Sequence, residues 1–338
     1  MKKILASISA RSNFARLSSV LDHIELHPNL ELIVVLLASA AEQDLKVITA
    51  QYKKSYILGT QSTEPGTLFG MSKTTAKCLK DVTEKLEEIC PDAVLVSGDR
   101  FEIMAPAIAA SYSNIPLIHI QGGEKTGSID DKVRNAVTKM ADLHFVCTQA
   151  AKKEVVAMGE ENVYVTGCPS IDLVKNFNCD VKDYLLIIQH PDTTDHSNFL
   201  NQMKITIDAV KETNIPYFCI GPNIDAGTLG VDYNSVDYKS FYDLLCHCAC
   251  LVGNSSSGIR EGSYLGIPVV NIGQRQRGRE RSDNVIDVPH EKHIIKQAID
   301  KQYGKRYERN LLYGDGTAGE AIARLIAKLP LFLKNGPQ

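Results

Sequence analysis

The chain has 338 residues, a length that suggests two domains. Its net charge is −3, so there is no excess of Lys and Arg to neutralise the phosphates of a nucleic acid. Apolar residues make up 44%, enough for sizeable cores, but no run approaches the roughly 18 consecutive apolar residues of a membrane span. We therefore expect a cytoplasmic globular protein with neither nucleic acid nor membrane as a partner.

The cysteines indicate a reduced protein. There are nine of them, an odd number, and they are scattered, often inside apolar runs such as Tyr217–Ile220. This usage is typical of cytosolic thiols rather than of a disulfide framework. The stretch Cys246–Cys250 holds three cysteines and a histidine, but its spacing is too tight for one tetrahedral metal centre. We interpret it as a buried junction between a helix and a strand, and we expect no metal and no cofactor.

Short apolar runs alternate with helical patterns from end to end, which is typical of βαβ units and parallel sheets. Helical periodicity predicts helices over Phe14–Leu26 and Lys73–Cys90. The polar stretch Cys168–Asp183 has no strong period and is predicted to link two α/β domains. The first series of predicted strands is Ile4–Ile8, Leu32–Leu37, Ala93–Val96, Leu117–Ile120, Phe145–Cys147 and Val163–Val165. The second series is Tyr184–Ile188, Tyr217–Ile220, Cys250–Val252 and Pro268–Ile272.

Polar residues at the ends of the first strands form one candidate site, because parallel sheets bind ligands beyond the carboxyl ends of their strands. Arg11 lies in the turn after the first strand, where a helix begins and an anion can bind. Asp99 alone could be a helix cap. However, two neighbouring strand ends both carry acids and bases, together with His119, and this favours an acid–base site. The candidates at these two ends are Asp99, Arg100, Gln121, Glu124, Asp130, Asp131 and Arg134.

The second series predicts a phosphate-binding region. His190 follows its first strand and is a candidate donor to phosphate, and Asn223 lies in a later loop rich in Gly and Pro. The densest signal is Gly253–Gly262, where a strand runs into a serine turn that opens a helix and can cradle a diphosphate, while Glu261 can accept ribose hydroxyls. It is neither a P-loop nor a GxGxxG fingerprint. Binding candidates here are Asn254, Ser255, Ser256, Ser257, Gly258, Glu261, and Arg275 and Arg279 of the following arginine run.

These motifs, in this order, resemble the hydrolysing UDP-N-acetylglucosamine 2-epimerases. The matching stretches are Ser97–Phe101, Gly122–Glu124, Ile129–Arg134, Gln189–Pro191, Gly253–Glu261 and Gly273–Asn284. The resemblance implies an α/β fold of two Rossmann-like domains with an interdomain cleft (GT-B-like). Residues 1–169 would form the sugar-side domain and residues 170–316 the UDP-binding domain, with the C-terminal helix 317–338 packing back on the first. A homodimer or homotetramer is also implied.

The implied reaction needs no metal. UDP is eliminated across C1–C2 to give a 2-acetamidoglycal, and water then adds to release N-acetylmannosamine and UDP. By resemblance, Asp99, Glu124, Asp130, Asp131 and His190 are the catalytic candidates, without an assignment of base and acid. Many relatives have a glutamate where this chain has Gln121, and an amide cannot shuttle protons. Either Glu124 supplies the acid, or Gln121 only positions the sugar.

Several functions remain open from the sequence. The leading hypothesis is a hydrolysing epimerase acting on UDP-N-acetylglucosamine or on a related sugar such as UDP-diacetylbacillosamine. The alternatives are a non-hydrolysing epimerase, a glycosyltransferase of the same architecture, and a UDP-sugar-binding paralogue without activity.

Overall fold

A computed structural model describes residues 1–9, 11–37, 48–58, 67–127, 129–192, 196–221 and 238–334, apart from the side chains of Arg11, Ser12, His196 and Tyr238. The chain forms two compact units. Unit 1 comprises Met1–Glu124, Asp130–Asp172 and Gly314–Gln338, and unit 2 comprises Lys125–Ile129 and Leu173–Tyr313. Each unit has a parallel sheet covered by helices, so the predicted α/β fold class is confirmed.

The strands fall into one sheet per unit. In unit 1 they are β1 (Lys2–Ile8), β2 (Leu30–Leu36), β3 (Ser55–Ile57), β4 (Ala93–Ser97), β5 (Leu117–Ile120), β6 (Leu143–Val146) and β7 (Val163–Val165), in the order β3-β2-β1-β4-β5-β6-β7. In unit 2 they are β8 (Leu185–Ile188), β9 (Tyr217–Ile220), β10 (Cys250–Gly253), β11 (Val269–Ile272) and β12 (Val285–Val288), in the order β12-β11-β10-β8-β9. Strands of such sheets are covered on both faces, which explains their continuous apolar runs.

The helices follow the strands as expected of βαβ units. They are α1 (Arg11–Leu26), α2 (Leu68–Ile89), α3 (Met104–Tyr112), α4 (Asp130–Met140), α5 (Gln149–Ala157), α6 (Pro169–Asp172), α7 (Phe199–Lys211), α8 (Tyr238–His247), α9 (Ser256–Ile259), α10 (Glu261–Leu265), α11 (Lys292–Gln302) and α12 (Ala318–Lys328). None that the structure describes is both long and apolar enough to cross a bilayer.

The strand order reverses once in each sheet, and these reversals position the candidate sites. In unit 1 the reversal lies between β1 and β4, and in unit 2 it lies between β8 and β10. Crossovers leave in opposite directions at such a point, which opens a crevice beyond the carboxyl ends of the two strands. The residues that follow β4 and β10 are therefore well placed to bind a ligand in their own unit.

Helix α2 begins earlier than its apolar pattern predicts. The side chain of Thr67 accepts a hydrogen bond from the Gly70 amide at 2.9 Å, so a cap defines the start of the helix where periodicity gives no signal. At the other end Cys90 adopts a left-handed conformation, with φ of 47°. The buried side of α2 includes Val82 and Leu86, which pack in the same core as Leu5 of β1.

The stretch predicted as a linker begins with a short helix. Pro169–Asp172 forms the short helix α6, and the Asp172 carboxylate accepts from the Ser19 hydroxyl at 2.6 Å. It also accepts from the amides of Ala318 at 3.0 Å and Gly319 at 2.7 Å. Asp172 thus caps α12 and fixes that helix beside α1.

The expectation of uniformly reduced cysteines is wrong for one pair. Cys179 and Cys246 form a disulfide, and their Cα atoms lie 5.2 Å apart, a separation that suits such a bond. The pairing joins residues 67 positions apart, so no local pattern could indicate it. The junction predicted at Cys246–Cys250 is confirmed, since α8 ends at His247 and β10 begins at Cys250.

Replacing Asp172 by alanine should destabilise unit 1. The change leaves a hydroxyl and two helix N-terminal amides without their charged acceptor, so we expect the free energy of unfolding to fall by about 2 kcal/mol. Urea unfolding measures the loss. The exposed Glu161→Ala is the control and should stay within about 0.5 kcal/mol of wild type. Equal stability of the two variants would contradict the capping role.

Candidate active site

A buried arginine holds the acidic residues of unit 1 together. Arg134 lies on α4 with 1% of its side chain exposed. Its guanidinium forms an ion pair with Asp99, donates to Asp131 at 2.5 Å and donates to the backbone carbonyl of Glu124 at 2.5 Å. Three of the predicted catalytic residues, which come from different elements, are therefore brought into contact with one cation.

Local structure explains the placement of the two paired aspartates. Asp99 follows Gly98, which turns the chain after β4 with φ of 84°. It does not cap the next helical turn, because that turn begins after Arg100 and has no side-chain cap. Asp131 lies with Asp130 in the first turn of α4, where the helix dipole favours negative charge, and one turn before Arg134.

The charge of Arg134 is balanced by its surroundings. Burial alone would lower the pKa of Arg134, but attraction by Asp99, Glu124 and Asp131 outweighs burial and raises this pKa above its usual value. The arginine therefore stays charged. It can fix the carboxylates but cannot itself exchange protons with a substrate.

Glu124 follows two glycines whose packing leaves no room for side chains. A Cβ at Gly123 would lie 2.2 Å from the Ala151 carbonyl oxygen, and φ there is 79°. A Cβ at Gly122 would lie 2.9 Å from the Thr138 hydroxyl. The two glycines let the chain run close to α5 and α4 and bring the 7% exposed Glu124 to the Arg134 cluster.

Arg100 has a partner within its own turn. Its guanidinium donates twice to the fully buried Glu102, with both N–O distances at 3.1 Å. Without a cation the burial of Glu102 would be very costly. The structure thus gives Arg100, a predicted substrate ligand, a role in neutralising Glu102.

Gln121 is buried and strained. It follows β5 with φ of 68°, a conformation that costs a residue with a side chain about 1 kcal/mol or more. Its Nε2 donates to the Cys168 thiol at 3.2 Å. Within the described part of the chain, its Oε1 has no hydrogen-bond partner. Strain together with an unsatisfied buried acceptor is typical of a functional position.

His119 belongs to the cluster but is unsuited to proton transfer. It is fully buried, and both ring nitrogens have partners: Gly98 O at 3.0 Å from Nε2 and Thr138 Oγ1 at 3.2 Å from Nδ1. Burial lowers the pKa of His119 to about 3. The ring is therefore neutral at physiological pH.

In unit 2 a tight turn follows β10. At Gly253, φ is 138°, and a Cβ would lie 2.1 Å from the Ile188 carbonyl oxygen, so only glycine fits beside β8. Ser255 is the N-cap of α9, and its hydroxyl lies 2.8 Å from that of Ser257. Both serines, and Ser256 between them, are at most 9% exposed. The turn therefore gathers three hydroxyls at one helix entrance, as the sequence predicts.

Asn254 uses its side chain to join the two loops at the strand reversal. Its Oδ1 accepts from the amide of His190 at 2.7 Å, and its Nδ2 donates to the carbonyl of His190 at 2.8 Å. Its own carbonyl accepts from Gln276 at 2.9 Å and from Arg275 at 3.4 Å. The structure makes Asn254, predicted as a ligand, the residue that fixes His190 beside the serine turn.

The remaining predicted residues of unit 2 are one glycine, Gly258, and two charged side chains, Glu261 and Arg279. Gly258 packs on the sheet, where a Cβ would lie 3.0 Å from a Val269 methyl, so its glycine is explained by packing. Glu261 is 4% exposed, with the Tyr242 hydroxyl 3.5 Å away, and Arg279 donates to Gln276 at 2.7 Å.

Two predicted residues lie wholly or partly outside the described part of the structure, and two residues of the site were not predicted. Asn223 and the side chain of Arg11 lie outside the described residues. Gln276 and Tyr242 were not predicted. Gln276 stands inside the arginine run, where a single amide forms no pattern of its own. Tyr242 gives no signal beyond an aromatic residue on a helix.

The buried His119 should make stability pH-dependent. Its pKa is lower in the folded chain than in the unfolded one, so its contribution is complete above pH 6.5 and is lost as the pH falls below it. Between pH 7 and pH 5 this loss amounts to about 2 kcal/mol. In urea unfolding, His119→Gln should lose about that much less than His293→Gln, whose native side chain is 70% exposed. Identical pH dependence of the two variants would contradict the neutral buried ring.

The chain is similar in sequence to known sugar-nucleotide epimerases. A hydrolysing UDP-N,N'-diacetylbacillosamine 2-epimerase from Legionella pneumophila is 34% identical over 291 residues, covering 77% of each chain. A UDP-N-acetylglucosamine 2-epimerase from Neisseria meningitidis is 29% identical over 333 residues, covering 88% of this chain and 87% of that one.

Solved structures support the fold. The crystal structure of a Neisseria meningitidis UDP-GlcNAc 2-epimerase bound to UDP-GlcNAc superposes with a TM-score of 0.80 at 20% identity, covering 97% of this chain and all of the other.

The profile of the UDP-N-acetylglucosamine 2-epimerase family matches residues 22–327. The chain has the GT-B-like fold and belongs to the UDP-N-acetylglucosamine 2-epimerase family.

Proposed function

We propose that the protein is a hydrolysing 2-epimerase that converts UDP-N-acetylglucosamine and water to N-acetylmannosamine and UDP. The observation that carries the proposal is the cluster in which Arg134 holds Asp99 and Asp131 beside Glu124. Elimination requires a base near C2 and a group that returns a proton, and neighbouring carboxylates are suited to both tasks.

The reaction proceeds in two steps. A carboxylate takes the C2 proton, the C2–H electron pair forms the C1=C2 double bond, and the C1–O bond breaks with its electrons leaving on UDP. Water then adds to the 2-acetamidoglycal, with hydroxyl at C1 and a proton at C2 from the opposite face. The candidate carboxylates are Asp99, Glu124, Asp130 and Asp131. Arg134 remains protonated and holds Asp99 and Asp131 in place.

Unit 2 is proposed to bind UDP. The hydroxyls of Ser255, Ser256 and Ser257 and the amides at the start of α9 suit a diphosphate. His190, which Asn254 holds by its backbone, would donate to the same group. Glu261 would accept the ribose hydroxyls. Negative charge grows on the diphosphate as it leaves, and this is the charge that Arg275 and Arg279 would neutralise.

Gln121 is proposed to orient the sugar rather than to move a proton. An amide has no proton to exchange at working pH, whereas its buried Oε1 can accept a hydrogen bond from the substrate. The strained backbone at this position supports a functional role.

UDP-diacetylbacillosamine is the second candidate substrate. The Legionella pneumophila relative, 34% identical over 291 residues, is named for hydrolysing epimerisation of that sugar. Both substrates carry a 2-acetamido group, and the same elimination chemistry applies to each.

Incubation of the protein with each UDP-sugar in D2O, followed by NMR of the products, tests the proposal. We expect one equivalent of UDP, the free 2-epimer and deuterium at C2. Epimer that remains bonded to UDP would instead identify a non-hydrolysing epimerase. UDP binding without deuterium uptake would identify a binding protein, and turnover that requires an acceptor would identify a glycosyltransferase.

Asp99→Asn should abolish turnover while UDP affinity stays near that of wild type. The change removes a carboxylate of unit 1 and leaves the serine turn of unit 2 unaltered. UDP release measures turnover, and titration calorimetry measures affinity. Asp81→Asn, the same charge change on α2, is the control and should keep full activity. Equal loss of turnover and UDP affinity in Asp99→Asn would show that Asp99 is structural.

A further inference from the structure

His119 connects three elements that carry the acidic residues of unit 1. It lies on β5, which leads to Glu124. Its Nε2 meets the carbonyl of Gly98, the residue before Asp99, at 3.0 Å. Its Nδ1 meets the hydroxyl of Thr138 on α4, the helix that also carries Asp131 and Arg134, at 3.2 Å.

These partners determine the tautomer of the ring. A backbone carbonyl can only accept a hydrogen bond, so Nε2 must carry the hydrogen. In a neutral ring Nδ1 is then an acceptor, and the Thr138 hydroxyl donates to it. A protonated ring would carry a hydrogen on Nδ1 as well, so the Thr138 hydroxyl would have to accept from the ring instead of donating to it.

The surroundings enforce this contact. A Cβ at Gly122 would lie 2.9 Å from Thr138 Oγ1 and 3.1 Å from His119 Nδ1, so the absence of a side chain there lets the ring and the hydroxyl meet. The ring is fully buried, and both of its nitrogens are engaged by protein partners. It can therefore influence the reaction only through the residues that it holds.

We propose that His119 is a positioning residue, whose Nε2–H tautomer fixes the Gly98–Asp99 turn against α4 so that Asp99 meets Arg134. This inference rests on the proposed function, since it assigns a purpose to the carboxylate cluster. The hydrogen bond to Gly98 sets the direction in which the chain leaves β4. The hydrogen bond from Thr138 ties that direction to the helix that carries Arg134.

Two matched pairs of variants test the proposal. Glutamine places its amide nitrogen near the position of Nε2 and can still donate to Gly98, whereas asparagine reaches only the position of Nδ1. We therefore expect His119→Asn to lower kcat by about 100-fold, the effect of a displacement of about 1 Å at a catalytic group. His119→Gln should retain most of the turnover. Thr138→Val should lower kcat and Thr138→Ser should restore it, and UDP affinity should be unchanged in all four variants.

A spectroscopic measurement tests the same inference without substrate. In protein labelled with ¹⁵N-histidine, long-range correlation spectra should show His119 as the neutral Nε2–H tautomer from pH 5 to pH 8. Hydrogen exchange at the Gly98 amide, which donates to Ile120 at 3.0 Å, should accelerate in His119→Asn but not in His119→Gln. If His119→Asn does not fold, the comparison of Thr138→Val with Thr138→Ser still tests the inference, because Thr138 bonds the other nitrogen of the ring.

The outcomes separate this inference from the proposed function. Wild type that releases no UDP would overturn the proposed function, while the tautomer and the Gly98 exchange rates would still decide the role of His119. A charged ring or an Nδ1–H tautomer would overturn the inference. So would equal losses of kcat in His119→Asn and His119→Gln, or a Thr138→Ser variant as slow as Thr138→Val.

Discussion

The buried guanidinium of Arg134 is the interaction on which the site in unit 1 depends. A charge with 1% exposure is tolerated only when opposite charges and acceptors surround it, and Asp99, Asp131 and the Glu124 carbonyl supply them. Lysine could not replace the arginine, because one ammonium lacks the planar fork that reaches three partners in different directions. Ion pairs of this kind are rarely the most stable way to fill a core, so retaining one favours a functional explanation.

In unit 2, amide side chains hold the loops at the strand reversal. The Asn254 side chain joins the loops after β8 and β10, and the Gln276 amide continues the network to the arginine run. These amides bond backbone atoms and are therefore engaged within the protein itself. The sequence could not show that Asn254 joins two loops, because Asn254 and Ser255 are both polar residues that could equally bind a ligand.

Much of the architecture could be predicted because buried parallel strands are continuous apolar runs. Strands β4, β5 and β8 stand where their apolar residues predict them, and the rule that ligands bind beyond such strands selected Asp99 and the serine turn. The missed strands β3 and β12 are short and only partly buried, so their patterns are weak. Contacts distant in sequence were also beyond prediction: Arg134 meets Asp99 across 35 residues, and Asp172 meets Gly319 across 147. Their partners become visible only when the sheet has brought the elements together.

The two-sided use of Asn254 has a consequence for the chemical ageing of the protein. Asparagine followed by a small polar residue, here Ser255, is prone to deamidation when its backbone is free to move, and heat accelerates the reaction. The tight turn and the two bonds to His190 restrain this backbone and protect the amide. If deamidation did occur, a carboxylate oxygen would face the carbonyl of His190 where an N–H now donates. The two loops would then repel each other. Deamidation of Asn254 during storage would therefore release His190 from its place beside the serine turn.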